Sequence, residues 1–172
     1  MLCEVDNRNK NPGGCFLQLW KRTAKLENNI NKLQLWANSS GCIEGNDFIH
    51  GNYCYRILRF EVDFWEAELF CMIRGGHLAF NEDENSWNAT LYYLWGVGFK
   101  MKEIWTGVYK DEGIWKYTDG RNAKYTNWAT GNVFDYGDDC AQIRLEFNYQ
   151  RSAMYDRRCT RNPRAFLCKY RL

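Results

Sequence analysis

The 172-residue chain has few of the residues on which enzyme and metal sites usually depend. It contains only two histidines, His50 and His77, and no Cys-x-x-Cys pair. It also lacks a Gly-x-Ser-x-Gly elbow, a phosphate-binding loop and a metal-binding histidine pair. Catalysis needs a nucleophile or proton carrier beside a positioned partner. We therefore expect a protein that is not an enzyme and acts by binding, with both histidines in structural roles.

Long apolar runs are also missing. No segment approaches the roughly 20 apolar residues of a membrane helix, so this chain is predicted to hold no transmembrane segment. Met1 is followed by polar and charged residues and not by a signal peptide. We interpret the chain as a processed form or a fragment of an exported protein.

The chain carries little net charge, +2 overall, but the charge is unevenly distributed. Residues 144–172 contain eight basic and two acidic side chains, a net +6, which leaves −4 for the remainder. Such a bias is typical of either a solvated basic face or a site for anionic ligands such as sulfated or sialylated glycans. Nucleic acid is not an expected partner, because the basic residues alternate with cysteines that indicate an extracellular compartment.

Cysteine is abundant. The eight cysteines form an even set, whose pairing the sequence alone leaves open among 105 possibilities. They predict a disulfide framework and a protein that is secreted or lies on the extracellular side of the cell surface. Two Asn-x-Ser/Thr sequons, at Asn38 and Asn88, are predicted glycosylation sites. The cysteines are Cys3, Cys15, Cys42, Cys54, Cys71, Cys140, Cys159 and Cys168.

The N-terminal quarter has its own pattern. Residues 1–14 resemble a polar leader, and residues 16–37 carry an apolar heptad seam. Three heptads are marginal for a lone helix, so we predict a homo- or hetero-oligomer through residues 16–37; a helix packed on its own domain is the alternative. Cys3 and Cys15 either close one loop or bridge two chains. The seam consists of Phe16, Leu19, Thr23, Leu26, Ile30, Leu33 and Ala37.

The remainder is predicted to be one α+β domain over residues 42–172, after a leader and neck over residues 1–41. Alternating residues around Gly51-Asn52 predict a hairpin over 47–60. Apolar periodicity predicts helices over 61–73 and 81–94. Short strands are predicted at 104–109, 115–117, 141–145 and 165–170.

Several segments then resemble one known family in the correct order. Residues 64–71 and 75–79, FWEAELFC and GGHLA, resemble the first-helix region of C-type lectin-like domains. Trp105-Thr106-Gly107-Val108 resembles their central strand, and Asn127-Trp128 the approach to their long loop. Asp138-Asp139-Cys140 and Ala165-Phe166-Leu167-Cys168 resemble the flanks of their last strands. The resemblance covers about residues 42–172 and implies the C-type lectin-like fold: two helices, antiparallel sheets and a long loop, here preceded by a coiled-coil-like helix.

This resemblance implies three disulfides: Cys42–Cys54, Cys71–Cys168 and Cys140–Cys159. It also implies a place for calcium, because the family's lectins hold a sugar through a calcium ion in the long loop. Matching residues are Asn132, Asp138 and Asp156, with Asp135 as a nearby acid. Calcium prefers six to eight oxygen ligands, and three are too few for a complete cage. The alternative role for these acids is to pair with the loop backbone or with the region of Arg157 and Arg158.

Three positions depart from the family's pattern. Val133 stands where a cis proline is usual, Phe134 offers no side-chain oxygen, and Tyr155 replaces an asparagine. We therefore predict a recognition domain that binds a glycan or glycoprotein without a complete calcium–sugar site. Calcium-dependent sugar binding at an unorthodox site is the alternative. The predicted ligand-binding residues are Asn132, Phe134, Asp135, Asp138, Tyr155, Asp156 and Arg157.

Overall fold

The computed structural model describes residues 42, 47–100, 102–132, 134, 137–160 and 163–172. The predicted leader, the helical neck over 16–37, Cys3, Cys15 and the sequon at Asn38 lie outside this part of the chain, as does Asp135. The described elements, in chain order, are β1 (Phe48–His50), β2 (Tyr53–Val62), α1 (Phe64–Met72), β3 (His77–Leu78), α2 (Glu84–Gly96), β4 (Glu103–Asp111), β5 (Ile114–Tyr117), β6 (Cys140–Arg144), a 3₁₀ turn (Tyr149–Arg151), β7 (Ala153–Arg157) and β8 (Arg164–Arg171).

The strands form one sheet in the order β1-β2-β8-β4-β6-β7, with β3 added to β8 and β5 added to β4. The predicted hairpin is confirmed: β1 and β2 pair across Gly51-Asn52, where Gly51 adopts a φ of 59°. The predicted antiparallel pairing holds for the strand pairs described, with one exception. Strands β4 and β8 run parallel, with Ile104 opposite Ala165. Because β2 and β4 run in opposite directions, β8 between them can be antiparallel to only one of the two.

Both predicted helices exist, but their boundaries differ from the predictions. Glu61 and Val62 belong to β2, so α1 begins only after Asp63, whose carboxylate accepts from the Glu66 amide at 2.8 Å. In return, the Glu66 carboxylate accepts from the Asp63 amide at 3.2 Å. Asp83 caps α2 through the Ser86 amide at 2.7 Å. Reciprocal caps of this kind fix where a helix starts, and they shift both starts three residues beyond the predicted ones.

The two helices bury their inner faces separately. Trp87, Leu91 and Leu94 of α2 join the main apolar core with Ile104 and Leu167. Around α1, the Phe64 ring meets the Trp105 indole edge-on at 5.6 Å. The indole nitrogen of Trp105 donates to the Val62 carbonyl at 2.9 Å, which satisfies its polar atom inside the core.

The three disulfides implied by the resemblance are present: Cys42–Cys54, Cys71–Cys168 and Cys140–Cys159. The second joins α1 to β8 across 97 residues. In the loop-entropy account, a loop of that length contributes about 5 kcal/mol to stability. Within the described residues, no helix is both long and apolar enough to cross a membrane.

The remaining sequon lies on α2. Asn88 is exposed there, whereas Thr90 is buried and its hydroxyl donates to Asn81 at 2.9 Å. Glycosylation at Asn88 stays a prediction.

Gly107 of β4 lies against the backbone of β3. A Cβ added at Gly107 would sit 2.1 Å from the Leu78 carbonyl oxygen, far inside van der Waals contact. The Gly107 amide also donates to the Ala79 carbonyl at 2.8 Å. Only glycine permits this approach of two strands.

We expect Gly107→Ala to lower the free energy of unfolding by about 2 kcal/mol or more, because backbone must move to admit the methyl group. Gly96→Ala is the matched control, since a Cβ there meets nothing within 4 Å. Denaturant unfolding followed by tryptophan fluorescence measures both. Equal stability of the two variants would contradict the close approach of β3 and β4.

Candidate functional site

The candidate site lies where β7 meets the long loop, which we define as residues 118–139 between β5 and β6. The loop is attached to β7 by main-chain hydrogen bonds: the Met154 amide donates to Asn127 at 2.7 Å, and the Ala129 amide donates to Met154 at 2.9 Å. Side chains alternate along β7. Met154 and Asp156 are buried, whereas Tyr155 and Arg157 are partly exposed.

Asn132 and Asp156, two of the predicted calcium ligands, are 24 residues apart in sequence and are in contact in the structure. The Asn132 side-chain amide donates to Asp156 Oδ1 at 3.0 Å. Asp156 is only 2% exposed, so this hydrogen bond contributes to the solvation of a buried carboxylate. The amide group of Asn132 is therefore already engaged with a carboxylate.

Asp138, the third predicted calcium ligand, faces a cation of the protein itself. Arg158 Nε lies 3.5 Å from Asp138 Oδ1. The neighbouring Asp139 lies 3.5 Å from Lys110 Nζ, and its carbonyl accepts from the Lys110 amide at 2.7 Å. Both acids of the Asp138-Asp139 pair thus have basic neighbours.

Phe134 belongs to an aromatic cluster that we define as Trp115, Trp128 and Phe134. The Trp115 and Trp128 rings are 4.6 Å apart, and Phe134 lies edge-on to Trp128 at 5.2 Å. Phe134 remains 47% exposed. Lys110 lies 5.0 Å from the Trp115 ring. The cluster offers solvent a partly exposed apolar surface beside a positive charge, and the exposed Phe134 ring suits stacking against a ligand.

Tyr155 lies in a basic setting on the opposite face of β7 from Met154. The guanidinium of Arg157 is 5.6 Å from the Tyr155 ring, and that of Arg144 is 5.9 Å from it. Arg157 also donates to the Asp156 carbonyl at 2.7 Å. Two guanidinium groups around one partly exposed phenol ring provide donors for carboxylate or sulfate groups.

The predicted site residues therefore fall into small groups. Asn132 contacts Asp156, and Tyr155 contacts Arg157. Asp138 lies beside Arg158, and Phe134 lies against Trp128. Asp135 lies outside the described residues.

Sequence reasoning missed Trp115, Trp128 and Arg144 as members of this surface. Trp128 was recognised only as part of the approach to the long loop, and Trp115 as the start of a predicted strand. Arg144 lies in the basic segment 144–172. In the pairing of β6 with β7, Gln142 is directly opposite Tyr155, and Arg144 is diagonally across from Tyr155. Cross-strand register was the missing information.

The described residues do not fit a complete calcium cage. Calcium takes six to eight oxygens, whereas Asn132 directs its amide nitrogen at Asp156, and Arg158 neighbours Asp138. Among described residues, the one group of three potential metal-binding side chains with converging atoms is Cys42, Asp47 and Cys54, of which both cysteines are disulfide-bonded. A cation at the long loop would have to compete with contacts that the protein already makes.

The Asn132–Asp156 contact generates a stability prediction. Asn132→Asp replaces a donor by a second carboxylate beside a buried one, so we expect the free energy of unfolding at neutral pH to fall by roughly 1–3 kcal/mol. Asn132→Ala, which loses the donor without adding charge, should be less damaging. Urea denaturation without calcium compares them; an Asp variant as stable as wild type would show that the amide does not solvate Asp156.

Comparison with known proteins agrees with the fold. The chain is 31% identical over 137 residues to the C-type lectin lectoxin-Lio1 of Erythrolamprus poecilogyrus, covering 74% of this chain and 79% of the relative. It is 26% identical over 123 residues to the galactose-specific lectin nattectin of Thalassophryne nattereri, covering 69% and 74% respectively. The structure of human lithostathine superposes with a TM-score of 0.68 at 18% identity, over 76% of this chain and all of the other.

The sequence model of the lectin C-type domain matches residues 61–170. This span includes α1, the long loop and the strands β6 and β7, and it covers more than half of the chain. The chain therefore belongs to the C-type lectin domain family.

Proposed function

We propose that this protein is an extracellular recognition module that binds a glycan or glycoprotein through the long loop and β7, without a complete calcium–sugar site. The observation that carries the proposal is that the calcium positions already contact one another or a basic side chain. Asn132 donates to Asp156, and Arg158 lies beside Asp138. To bind calcium, these side chains would first have to break the contacts that they already make with each other and with Arg158.

The chemistry of the surface supports a sugar or glycoprotein ligand. The aromatic cluster offers a partly exposed face on which the apolar side of a sugar ring can stack. Beyond it, Arg144 and Arg157 flank Tyr155, and guanidinium groups bind carboxylates and sulfates in bidentate fashion. An anionic glycan, sulfated or sialylated, uses both kinds of contact, and the net +6 of residues 144–172 adds long-range attraction.

The proposed setting is outside the cell. Three disulfides within one domain are typical of oxidising compartments. The relatives are C-type lectins, which supports binding and not catalysis as the mode of action. The name of nattectin specifies galactose for that protein; for this chain we propose the broader class, glycans. Residues 1–41 are proposed to form a leader and an oligomerising neck, and residues 42–172 the binding domain.

A glycan array tests the proposal directly. The full chain is applied to sulfated, sialylated and neutral glycans, with and without the chelator EDTA. We expect binding to anionic glycans that persists in EDTA and falls about tenfold or more in Tyr155→Ala and Arg157→Ser, since charge-assisted hydrogen bonds contribute about 1.5–3 kcal/mol each. Tyr92→Ala, on the exposed face of α2, is the matched control. Loss of all binding in EDTA contradicts the proposal.

A second function is favoured by the meeting of Asn132 and Asp156, which are family calcium positions. In that case the protein is a calcium-dependent lectin with an unorthodox site built from Asn132, Asp135, Asp138 and Asp156. It predicts neutral-sugar binding that needs calcium and disappears in Asp156→Ala. The same array distinguishes the two functions, because only this one requires the chelated ion.

A further inference from the structure

The outer face of α2 carries aromatic side chains that the domain leaves partly in solvent. Tyr92 is 66% exposed, and Trp95 lies half-buried about one turn further along the helix. The Tyr149 ring of the 3₁₀ turn lies 6.2 Å from that of Tyr92 and 6.1 Å from that of Trp95. Phe147 is 77% exposed, and its carbonyl accepts from the Trp95 indole nitrogen at 3.2 Å. We call Tyr92, Trp95, Phe147 and Tyr149 the α2 aromatic patch.

The α2 aromatic patch is separate from the side chains that anchor α2 in the core. The inner face of the helix already buries Trp87, Leu91 and Leu94. A surface helix normally carries polar residues on its outer face. A contiguous apolar patch that stays exposed instead marks a contact surface, and the sequence of α2 itself supplies a group that can lie on this one.

Asn88, the acceptor of a predicted glycosylation sequon, lies on the same face of α2. Successive residues of a helix are turned by about 100°. Viewed along the axis, Asn88 therefore lies between Tyr92, about 40° to one side, and Trp95, about 20° to the other. Asn88 is exposed, whereas Thr90, the third residue of the sequon, is buried. The sequon is thus oriented with its acceptor amide toward solvent, between the two rings.

Distances along the helix match as well. A helix rises about 1.5 Å per residue, so Tyr92 lies about 6 Å and Trp95 about 10 Å beyond Asn88. An N-linked glycan begins with two N-acetylglucosamine residues, each about as long as one helical turn of about 5.4 Å. In a glycan directed along α2, the first sugar is level with Tyr92 and the second with Trp95. The C–H face of each sugar ring can then pack on an aromatic ring.

We propose that the oligosaccharide attached to Asn88 folds back along α2 and covers the α2 aromatic patch. Its first two sugars pack on Tyr92 and Trp95, and their hydroxyl groups face water. Because the glycan is covalently held beside these rings, its effective concentration there is about millimolar, which favours it over a free partner. The glycan thereby becomes part of the fold, since it removes apolar surface from water. This contact is independent of the ligand proposed for the long loop and β7.

A thermodynamic cycle between the glycan and Tyr92 tests the contact. The full chain is made in a secretory system that attaches N-linked glycans, with Asn38→Gln in every variant so that Asn88 is the one sequon left. Asn88→Gln removes the glycan and keeps an amide, and Tyr92→Ala removes the ring. Ile114→Ala, which truncates a 51% exposed side chain on β5, is the matched control. Peptide mapping measures the occupancy of Asn88, and an unoccupied site overturns the proposal.

Denaturant unfolding followed by tryptophan fluorescence gives the unfolding equilibrium constant of each variant. We expect loss of the glycan to raise this constant about threefold more in the wild-type and Ile114→Ala backgrounds than in Tyr92→Ala, the size of one aromatic contact. The difference in helix propensity between Asn and Gln is common to all backgrounds and cancels. An equal effect in all three backgrounds overturns the proposal, because it means that the glycan extends into solvent.

NMR of the glycan on the same full chain provides a direct structural readout. Ring currents of Tyr92 and Trp95 should shift the protons of the first two sugars upfield. The shift should diminish in Tyr92→Ala and persist in Ile114→Ala. Trp95 stays intact in all variants, because its indole nitrogen holds the Phe147 carbonyl. Sugar signals of the wild type at the positions of a free glycan overturn the proposal.

Discussion

Strand β8 and its disulfide to α1 are the constraint on which the rest of the domain depends. As the last strand, β8 pairs with the early strand β2 on one side and with β4 on the other, and it also holds β3. Cys168 in its middle is bonded to Cys71 of α1. A non-local arrangement of this kind is costly in chain entropy, and the disulfide reduces that cost by restricting the unfolded chain. With β8 in place, β4 and β6 extend the sheet and β7 forms its outer edge.

That arrangement explains why the long loop is available for binding. The loop leaves the sheet after β5 and returns at β6, where Cys140 is bonded to Cys159. Because β7 lies at the edge, only one of its sides is occupied by β6, and the loop attaches along the other through Asn127 and Ala129. The fold thus supports an irregular segment on a rigid strand, an arrangement in which binding residues commonly occur. In this chain the long loop presents the Trp128 and Phe134 rings, and its acids Asp138 and Asp139 have basic neighbours.

Much of this fold is predictable from the sequence. Turn residues and alternation located the β1–β2 hairpin, and apolar periodicity located both helices. The starts of α1 and α2 were misplaced by three residues because caps at Asp63 and Asp83 decide them, and apolar periodicity carries no information about caps. Strand β3 has only two residues, too few for an alternation pattern, and its pairing with β8 stabilises it. Strand β7 is too hydrophilic to be recognised from its pattern, and its pairing with β6 stabilises it. The family resemblance alone supplied the disulfide pairing.

The candidate site also has features that were predicted from the sequence and features that were not. The resemblance supplied Asn132, Asp138 and Asp156 as calcium positions, and the sequence offered the region of Arg157 and Arg158 as a partner for the acids. The contact of Asn132 with Asp156, the choice of Arg158 beside Asp138, and the grouping of Arg144 with Tyr155 needed coordinates. Such contacts depend on cross-strand register and loop path, which residue types do not specify. The apolar outer face of α1 was visible in the sequence as FWEAELFCMI, yet only burial distinguishes its inner from its outer side chains.

Calorimetric titration of the full chain with calcium at physiological salt tests the central claim most directly, with thermal unfolding as the parallel readout. We expect no binding heat and no thermal stabilisation at calcium concentrations up to about a millimolar, the weak end of the affinity range for extracellular calcium modules. Binding tighter than this in the wild type, lost in Asp138→Ala or Asp156→Ala, would contradict the account and show that these acids exchange their present contacts for the ion.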